Sequence, residues 1–286
     1  MILGGKAIQC CILSAIADGI IVIISAVFNI GISGVITSVV SIVNRSENNF
    51  FEVHELTFAI GLILIYLFFF SGNKYLKKRY IVFLSFLFIL GDKRIAWGAI
   101  LAAALFSFLV KRKGLSKKML ASVGIAGVCI CYIYIFIIYN DSFFALLTKY
   151  SINGMGRDII FGYFTRRTYF GIDQLGWGIA GVSKAIENWD TAEVMYMSAV
   201  QGLHNDILKT YINFGAVLSF CWFFYNLVYL PRKVFDFFGK KSSTVLMSLL
   251  LYIFVTYLTD NTEGYFVCQV FLLLIPLASY SVEKES

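Results

Sequence analysis

Charged side chains are scarce in this sequence, at 14% of the residues, whereas 59% are hydrophobic. A water-soluble domain of this length could not hide so much apolar surface, so the composition excludes an ordinary soluble enzyme and indicates an integral membrane protein. Alternating amphipathic strands are also missing, which leaves helices as the spanning structure. No small-residue cleavage site follows the first apolar run, so we expect no cleaved signal peptide.

Histidines and paired cysteines are scarce as well. The chain has two histidines, His54 and His204, and its six cysteines lie in apolar runs without a CxxC pair. This pattern argues against a zinc site and against a disulfide framework, so we expect no metal and no cofactor. The net charge of +7 would suggest nucleic acid as the partner of a soluble protein. In a membrane protein the basic residues set the orientation of the helices instead, so we expect no nucleic-acid partner.

The apolar runs predict an all-α, polytopic membrane protein with about 8 transmembrane helices in a single domain over residues 1–286. The predicted spans are Ile8–Phe28, Leu56–Ser71, Tyr80–Leu90, Ile95–Val110, Met119–Tyr139, Ile207–Leu230, Thr244–Leu258 and Tyr265–Tyr280. The segment Ile30–Val43 has two interpretations: it is either a further pass or a Gly- and Ser-rich piece that lies in the interface or re-enters the membrane.

Basic residues are concentrated in three short loops, which hold more than half of the lysines and arginines: Lys74–Arg79, Lys111–Lys118 and Arg232–Lys241. Such loops are typical of the cytoplasmic side of a membrane protein. The opposite side then carries the short turn Thr259–Gly264 and one large loop, 140–206. A loop of this length is rare unless it is functional, so we expect the site in this large external loop.

Arginines are the first candidates for a functional role. Arg157 opens a helix-like segment, Arg157–Phe164, and Arg166 and Arg167 follow it. A salt bridge to a nearby acid would explain Arg157, but a guanidinium group also binds phosphate in a bidentate manner. A solvated charge pair would explain Arg166 and Arg167. Arg94 lies at the external surface between two spans, where it is either a snorkelling residue or part of an anion site.

Glycines form the next candidate motif. Gly176 and Gly178 make a Gly-x-Gly, which permits tight turns and close approach of the backbone. The motif has no strand–turn–helix context, so it does not support a nucleotide-binding fold. An amphipathic helix that begins at Thr191 is expected to lead from this region to the next span.

The sequence His204-Asn205-Asp206 stands at the start of that span and has two interpretations. In the structural one, Asn205 or Asp206 caps the helix and His204 is merely interfacial. In the functional one, His204 is a general base, because the imidazole ring takes up protons near neutral pH. At this position it would meet a substrate held at the membrane surface.

Taken in order, these features resemble the O-antigen ligase/polymerase family of bacterial membrane glycosyltransferases. The matching elements are the corner Gly91-Asp92-Lys93-Arg94, the pair Gly156-Arg157, the glycines Gly176 and Gly178, the pair His204-Asn205 and the following Gly215. Lys93 stands where the family commonly has serine, and the chain has fewer spans than is usual in the family.

The resemblance implies transfer of a glycan from undecaprenyl diphosphate to a sugar hydroxyl without a metal. Arg94 and Arg157 would neutralise the charge that develops on the diphosphate. His204 would take the proton of the acceptor hydroxyl. The remaining residues implied in substrate binding are Arg166, Arg167, Asn205, Gly176 and Gly178.

Within the family, the short chain rich in Phe and Ile looks most like a polymerase, which joins lipid-linked repeat units into O-antigen or capsular polysaccharide. The reaction would take place at the outer face of the bacterial cytoplasmic (inner) membrane, with the loop facing the periplasm or the exterior. The implied partners are the undecaprenyl-diphosphate-linked glycan, membrane lipid, a chain-length regulator and a flippase.

Two alternatives stay open. The first is a ligase that moves the finished polymer onto lipid A–core. The second is a non-enzymatic flippase or transporter of a polyprenyl-linked glycan. Transporters often contain paired structural repeats and ionisable residues at mid-membrane. Here Asp18 is the only obvious acid deep in a predicted span, and we therefore favour the enzyme.

Overall fold

The structure is a computed structural model, and it describes residues 4–44, 51, 53–72, 78–151, 154, 156–188 and 202–284. All regular structure in these residues is helical, which confirms the predicted all-α class. The helices are α1 (Gly4–Asn44), α2 (His54–Phe69), α3 (Lys78–Leu90), α4 (Arg94–Lys113), α5 (Lys117–Tyr139), α6 (Ser142–Lys149), α7 (Arg157–Thr165), α8 (Gly181–Glu187), α9 (Asp206–Phe224), α10 (Leu230–Thr256) and α11 (Phe266–Lys284).

The chain divides into two compact units. The first unit consists of Met1–Lys117, Pro231–Thr256 and Thr262–Ser286, and the second of Lys118–Leu230 and Tyr257–Asn261. The second unit therefore contains the large loop and a short turn from a distant part of the sequence.

In the first unit, α2 is the most deeply buried helix. It packs against α1, α3, α4 and α11, and its residues from Thr57 to Leu67 are all buried. A helix that is apolar on every side is typical of a protein core or a membrane span, and the neighbouring helices cover this one. Gly61 lets α10 approach closely, because a Cβ atom there would overlap the Tyr252 hydroxyl.

Several helices have the length and composition of membrane spans. Those long and apolar enough to cross a membrane are Lys6–Val40, Arg94–Lys113, Lys117–Tyr139 and Asp206–Thr256, and shorter apolar helices cover His54–Phe69 and Phe266–Tyr280. These helices support the predicted membrane class with helical spans. The number of eight spans stays a prediction.

One predicted loop is helical instead. We expected the basic stretch Arg232–Lys241 to connect two spans as a loop, but a π-helical turn, Tyr225–Tyr229, joins α9 to α10, and α10 runs through the whole stretch. Lysine and arginine are good helix formers, so a basic stretch need not end a helix. The interruption is confined to Gly239, where the backbone leaves the helical conformation.

Two further helices are interrupted at a glycine, α1 at Gly31 and α9 at Gly215. At both positions, as at Gly239, φ is positive and ψ is close to 180°, a region that is essentially restricted to glycine. The segment Ile30–Val43, for which we gave two interpretations, is thus the part of α1 that begins at the Gly31 break.

The described residues of the large loop contain three helices, α6, α7 and α8. The helix predicted over Arg157–Phe164 is confirmed as α7. Its N-cap residue, Gly156, adopts the left-handed backbone conformation. The sequence did not indicate α6 or α8. The amphipathic helix predicted from Thr191 lies outside the described residues.

Candidate functional site

The N-terminus of α9 is held by Asn205. Its Oδ1 accepts a hydrogen bond from the Leu208 backbone N–H at 2.9 Å, which makes Asn205 the N-cap. Its Nδ2 donates to the Tyr134 hydroxyl at 2.9 Å, and the residue is fully buried. The capping interpretation therefore holds for Asn205, whereas its contact with a substrate stays a prediction.

The turn Tyr257–Asn261 packs against this N-terminus. The Asp206 backbone N–H donates to the Tyr257 carbonyl oxygen at 3.0 Å. The Tyr134 hydroxyl in turn donates to the Leu258 carbonyl oxygen at 2.7 Å. Helix α5, the start of α9 and the turn are thereby joined by buried or half-buried hydrogen bonds, which gives the region a defined geometry.

His204 points towards this same turn. The residue is half-buried and adopts a left-handed conformation with φ of 49°, which is uncommon for a residue with a side chain and often occurs at functional sites. Its Nδ1 lies 3.5 Å from the Asn261 Nδ2. Gly202 makes room for this arrangement, because a Cβ atom there would lie 2.6 Å from the Asn261 Nδ2.

The orientation of the Asn261 amide decides which nitrogen of His204 can accept a proton. With the amide nitrogen facing Nδ1, as in the structure, the N–H donates to Nδ1 and the neutral ring carries its own proton on Nε2. With the amide turned by 180°, its oxygen accepts from Nδ1–H, and Nε2 becomes the accepting nitrogen. Only the second arrangement makes Nε2 a base.

Arg157 reaches the turn from the other direction. It is half-buried at the first residue of α7, and its Nη2 donates to the Thr259 carbonyl oxygen at 3.1 Å. No ion pair joins Arg157 to a carboxylate among the described residues. A guanidinium group has five N–H donors, so its bond to Thr259 leaves further donors for an anion. Arg157 and His204, which are distant in sequence, are therefore brought to one short turn.

A carboxylate and an amine lie in the first turn of α9, directly after His204 and Asn205 in the chain. The Asp206 side chain is fully buried, and its Oδ1 is 3.9 Å from Lys209 Nζ. Asp206 is also the first residue of α9, where the partial positive charge of the helix terminus favours a carboxylate. The first turn of α9 thus contains charges of both signs.

Gly176 and Gly178 occupy a break in α9. Because α9 is interrupted at Gly215, carbonyl groups before the break lack their helical partners. The loop supplies these partners: the Trp177 N–H donates to the Ile212 oxygen and the Gly178 N–H to the Asn213 oxygen, both at 2.9 Å. These bonds give the Gly-x-Gly a structural role.

The fit between loop and helix is tight. A Cβ atom at Gly176 would lie 2.4 Å from the Gly215 nitrogen, and one at Gly215 would lie 2.2 Å from the Gln174 oxygen. The Asn213 side chain extends the joint, since its Oδ1 accepts from the Val182 N–H at 2.9 Å and its Nδ2 donates to the Ile179 oxygen at 3.1 Å. The glycines are explained by this packing, and their contact with a substrate stays a prediction.

The other predicted arginines are exposed. Arg166 and Arg167 follow α7, and the Arg167 guanidinium carbon lies 3.7 Å from the centre of the Tyr163 ring, a cation–π contact. Both arginines line an open cleft. Arg94 is the first residue of α4 in the first unit and is exposed; its role in anion binding stays a prediction.

Sequence reasoning missed four residues of this site: Tyr134, Lys209, Thr259 and Asn261. The turn itself was predicted on the same side as the large loop, which was the available signal. Thr259 and Asn261 are polar residues of a kind common in any turn, so nothing marked them individually. No group of three His, Cys, Asp or Glu residues is placed to hold a metal ion in the part of the chain that the structure describes.

Comparison of the chain with protein-family models, curated proteins and solved structures gives no match. The resemblance to the O-antigen ligase/polymerase family therefore rests on the short motifs in the sequence.

Proposed function

We propose that the protein is a metal-independent glycosyltransferase that polymerises lipid-linked oligosaccharide repeat units. The observation that carries this proposal is the meeting of Arg157 and His204 at the turn Tyr257–Asn261. A cation that binds an anionic leaving group and a base that activates an acceptor must lie close together in such an enzyme. The proposal uses only residues of the second unit, and Arg94 keeps its predicted role from the sequence.

Arg157 would bind the diphosphate of the undecaprenyl-linked donor. When the bond to the sugar breaks, negative charge grows on the diphosphate, and a fixed guanidinium group stabilises that charge more than it stabilises the intact donor. The bond from Nη2 to the Thr259 oxygen holds the group in place before the donor binds. Lys209 adds a positive charge in the first turn of α9, where its Nζ lies 3.9 Å from the Asp206 Oδ1.

His204 would accept the proton of the acceptor hydroxyl as the new glycosidic bond forms. The accepting atom is Nε2, so Nδ1 must carry a proton and donate it to the oxygen of Asn261. This requires the amide orientation opposite to the one described above. General-base catalysis of this kind contributes about 10²–10⁴ in rate.

The test is polymer formation from purified lipid-linked repeat units in liposomes. We expect Arg157→Lys to lose most of the activity, because lysine keeps the charge but not the planar fork. His204→Ala should lose most of the turnover. The activity that remains should no longer fall on acidification, because the wild-type fall is expected from protonation of histidine, which ordinarily occurs below a pH of about 6.5 and prevents it from accepting a proton. Normal turnover by the His204→Ala protein would remove His204 from the mechanism.

Asn261 offers a sharper test of the same step. Asn261→Asp can only accept a hydrogen bond from Nδ1–H, so it should retain most of the turnover and keep Nε2 as the base. Asn261→Leu should lose most of it. An inactive, folded Asn261→Asp protein would contradict the proposed direction of proton transfer.

Deletion of the gene separates the polymerase from its alternatives. Surface glycan capped with a single repeat unit indicates a polymerase. Bare lipid A–core with accumulated lipid-linked polymer indicates a ligase, and the absence of external lipid-linked repeat units indicates a flippase.

A further inference from the structure

An open cleft of about 1060 Å³ lies in the second unit, between the end of α5, α6 and α7. Three aromatic side chains line it: Tyr139, Phe144 and Tyr163. Its volume is at the upper end of the range for ligand sites, about 300–1,000 Å³. The cleft is therefore large enough for several sugar rings, and it is separate from the contacts of His204 described above.

Helix α7 gives its two faces to different tasks. Arg157 bonds to the Thr259 oxygen, whereas Asp158, Gly162 and Arg166 lie along the side that lines the cleft. These three residues are spaced by four, as expected for one face of a helix. Gly162 faces open space, since a Cβ atom there would meet nothing within 4 Å. The cleft therefore lies across a single helix from the Arg157 site.

The lining identifies the chemical class of the ligand. Two carboxylates, Asp141 and Asp158, share the cleft with Arg166 and Arg167. A diphosphate would be repelled by the carboxylates, and a lipid chain would offer these charged groups no hydrogen bond. Sugar hydroxyls both donate to carboxylates and accept from guanidinium groups, and the C–H faces of sugar rings pack on aromatic rings.

We propose that this cleft binds the oligosaccharide of the repeat unit and sets which repeat units the protein accepts. The inference rests on the proposed function for the identity of the glycan. It assigns Arg166 and Arg167, which the resemblance implies in substrate binding, to recognition of the sugar.

The first variant fills the cleft without removing a side chain. Gly162→Leu adds apolar bulk at an open position of α7 and replaces glycine by a better helix former, so the helix is retained. The matched control is Gly98→Leu in α4, where a Cβ atom also meets nothing within 4 Å. Tyr163→Ala and Tyr163→Phe form a second pair, because only phenylalanine keeps the ring.

The probe is the lipid-free oligosaccharide released by mild acid from the polyprenyl-diphosphate glycans of the producing cells. We expect it to bind the purified protein in saturation-transfer NMR, with affinity lowered at least tenfold by Gly162→Leu and Tyr163→Ala. Gly98→Leu and Tyr163→Phe should bind nearly normally. In the polymer assay, Gly162→Leu should raise KM more than it lowers kcat. Melting temperature and elution volume confirm that each variant is folded.

The outcomes separate the two proposals. If the wild-type protein binds the oligosaccharide and Gly162→Leu weakens that binding, the cleft is supported. If the wild-type protein also makes no polymer, the proposed function is wrong while the cleft proposal stands. Unchanged binding and KM in folded Gly162→Leu protein overturn the cleft, whatever the activity. Failure of the wild-type protein to bind the oligosaccharide overturns it as well.

Discussion

Helices α9 and α10 break at glycines with nearly the same backbone angles, yet only one of the two breaks is filled. Gly215 has φ of 75° and ψ of −179°, and Gly239 has φ of 81° and ψ of −178°. A Cβ atom at Gly215 would lie 2.2 Å from the Gln174 oxygen, whereas one at Gly239 would meet nothing within 4 Å. The same local conformation is therefore packed against the loop at Gly215 and open at Gly239.

The filled break is a joint between α9 and the large loop. After the break, the Ala216 N–H donates to the Gln174 oxygen of the loop at 2.9 Å. Before the break, the Ile212 and Asn213 oxygens accept from the Trp177 and Gly178 N–H groups of the loop. The loop is thus fixed to the helix whose N-terminus carries His204. The open break at Gly239 carries no such loop contact at its Cβ position, so we expect its replacement to cost only backbone strain.

The largest expected effect distinguishes the two breaks directly. Gly215→Ala combines strain with overlap against the loop backbone and should destabilise the protein by more than about 4 kcal/mol or prevent folding. Gly239→Ala should lose only the strain of about 1–3 kcal/mol. Denaturation of the detergent-purified proteins measures both. Equal losses would mean that the loop contact contributes nothing to stability.

The second prediction concerns the loop side of the joint. Gly176 and Gly178 both have positive φ, at 80° and 90°, so alanine strains both equally. A Cβ atom at Gly176 meets the Gly215 nitrogen, while one at Gly178 meets nothing within 4 Å. Gly176→Ala should therefore lose about 1–3 kcal/mol more than Gly178→Ala. A larger loss for Gly178→Ala in the same denaturation experiment would contradict the described packing.

The third prediction concerns the side-chain bonds that extend the joint. Asn213→Ala leaves the buried Val182 N–H without its acceptor, which should destabilise the protein by about 1–3 kcal/mol. The control is Asn226→Ala, whose side chain donates to the Trp222 oxygen four residues earlier in the same helical region. Limited proteolysis should show faster cleavage near α8 in the Asn213 variant alone. Similar stability and cleavage of both variants would remove Asn213 from the joint.

The smallest effect is expected at Tyr132. Its hydroxyl donates to the Ala216 oxygen at 2.5 Å, directly after the break, and lies 2.9 Å from the Ser219 Oγ. Tyr132→Phe keeps the aromatic packing and should lose about 1 kcal/mol. The control is Tyr225→Phe, at a half-exposed ring in the π-helical turn Tyr225–Tyr229, and it should lose less stability. A stability change of zero at Tyr132 would show that the hydroxyl does not support the break.

Much of the helical framework could be predicted because its causes are local. Long apolar runs indicate α2, α5 and α9, and Asn205 caps α9 through a residue three positions away. The basic stretch Arg232–Lys241 was the exception. Charged residues indicate a loop only where they also have a low helix propensity. Lysine and arginine do not, and Gly239 alone interrupts α10 there.

The sequence by itself determined the helical class, a cap at either Asn205 or Asp206, and the helix that begins at Arg157. Only the tertiary structure decided that Arg157 contacts Thr259 and that His204 contacts Asn261. It also decided that Gly176 packs against the break at Gly215 and that one face of α7 lines a cleft. The physical reason is distance along the chain. Apolar periodicity and capping act within a few residues, whereas these contacts join segments that lie tens of residues apart and form only when the helices pack.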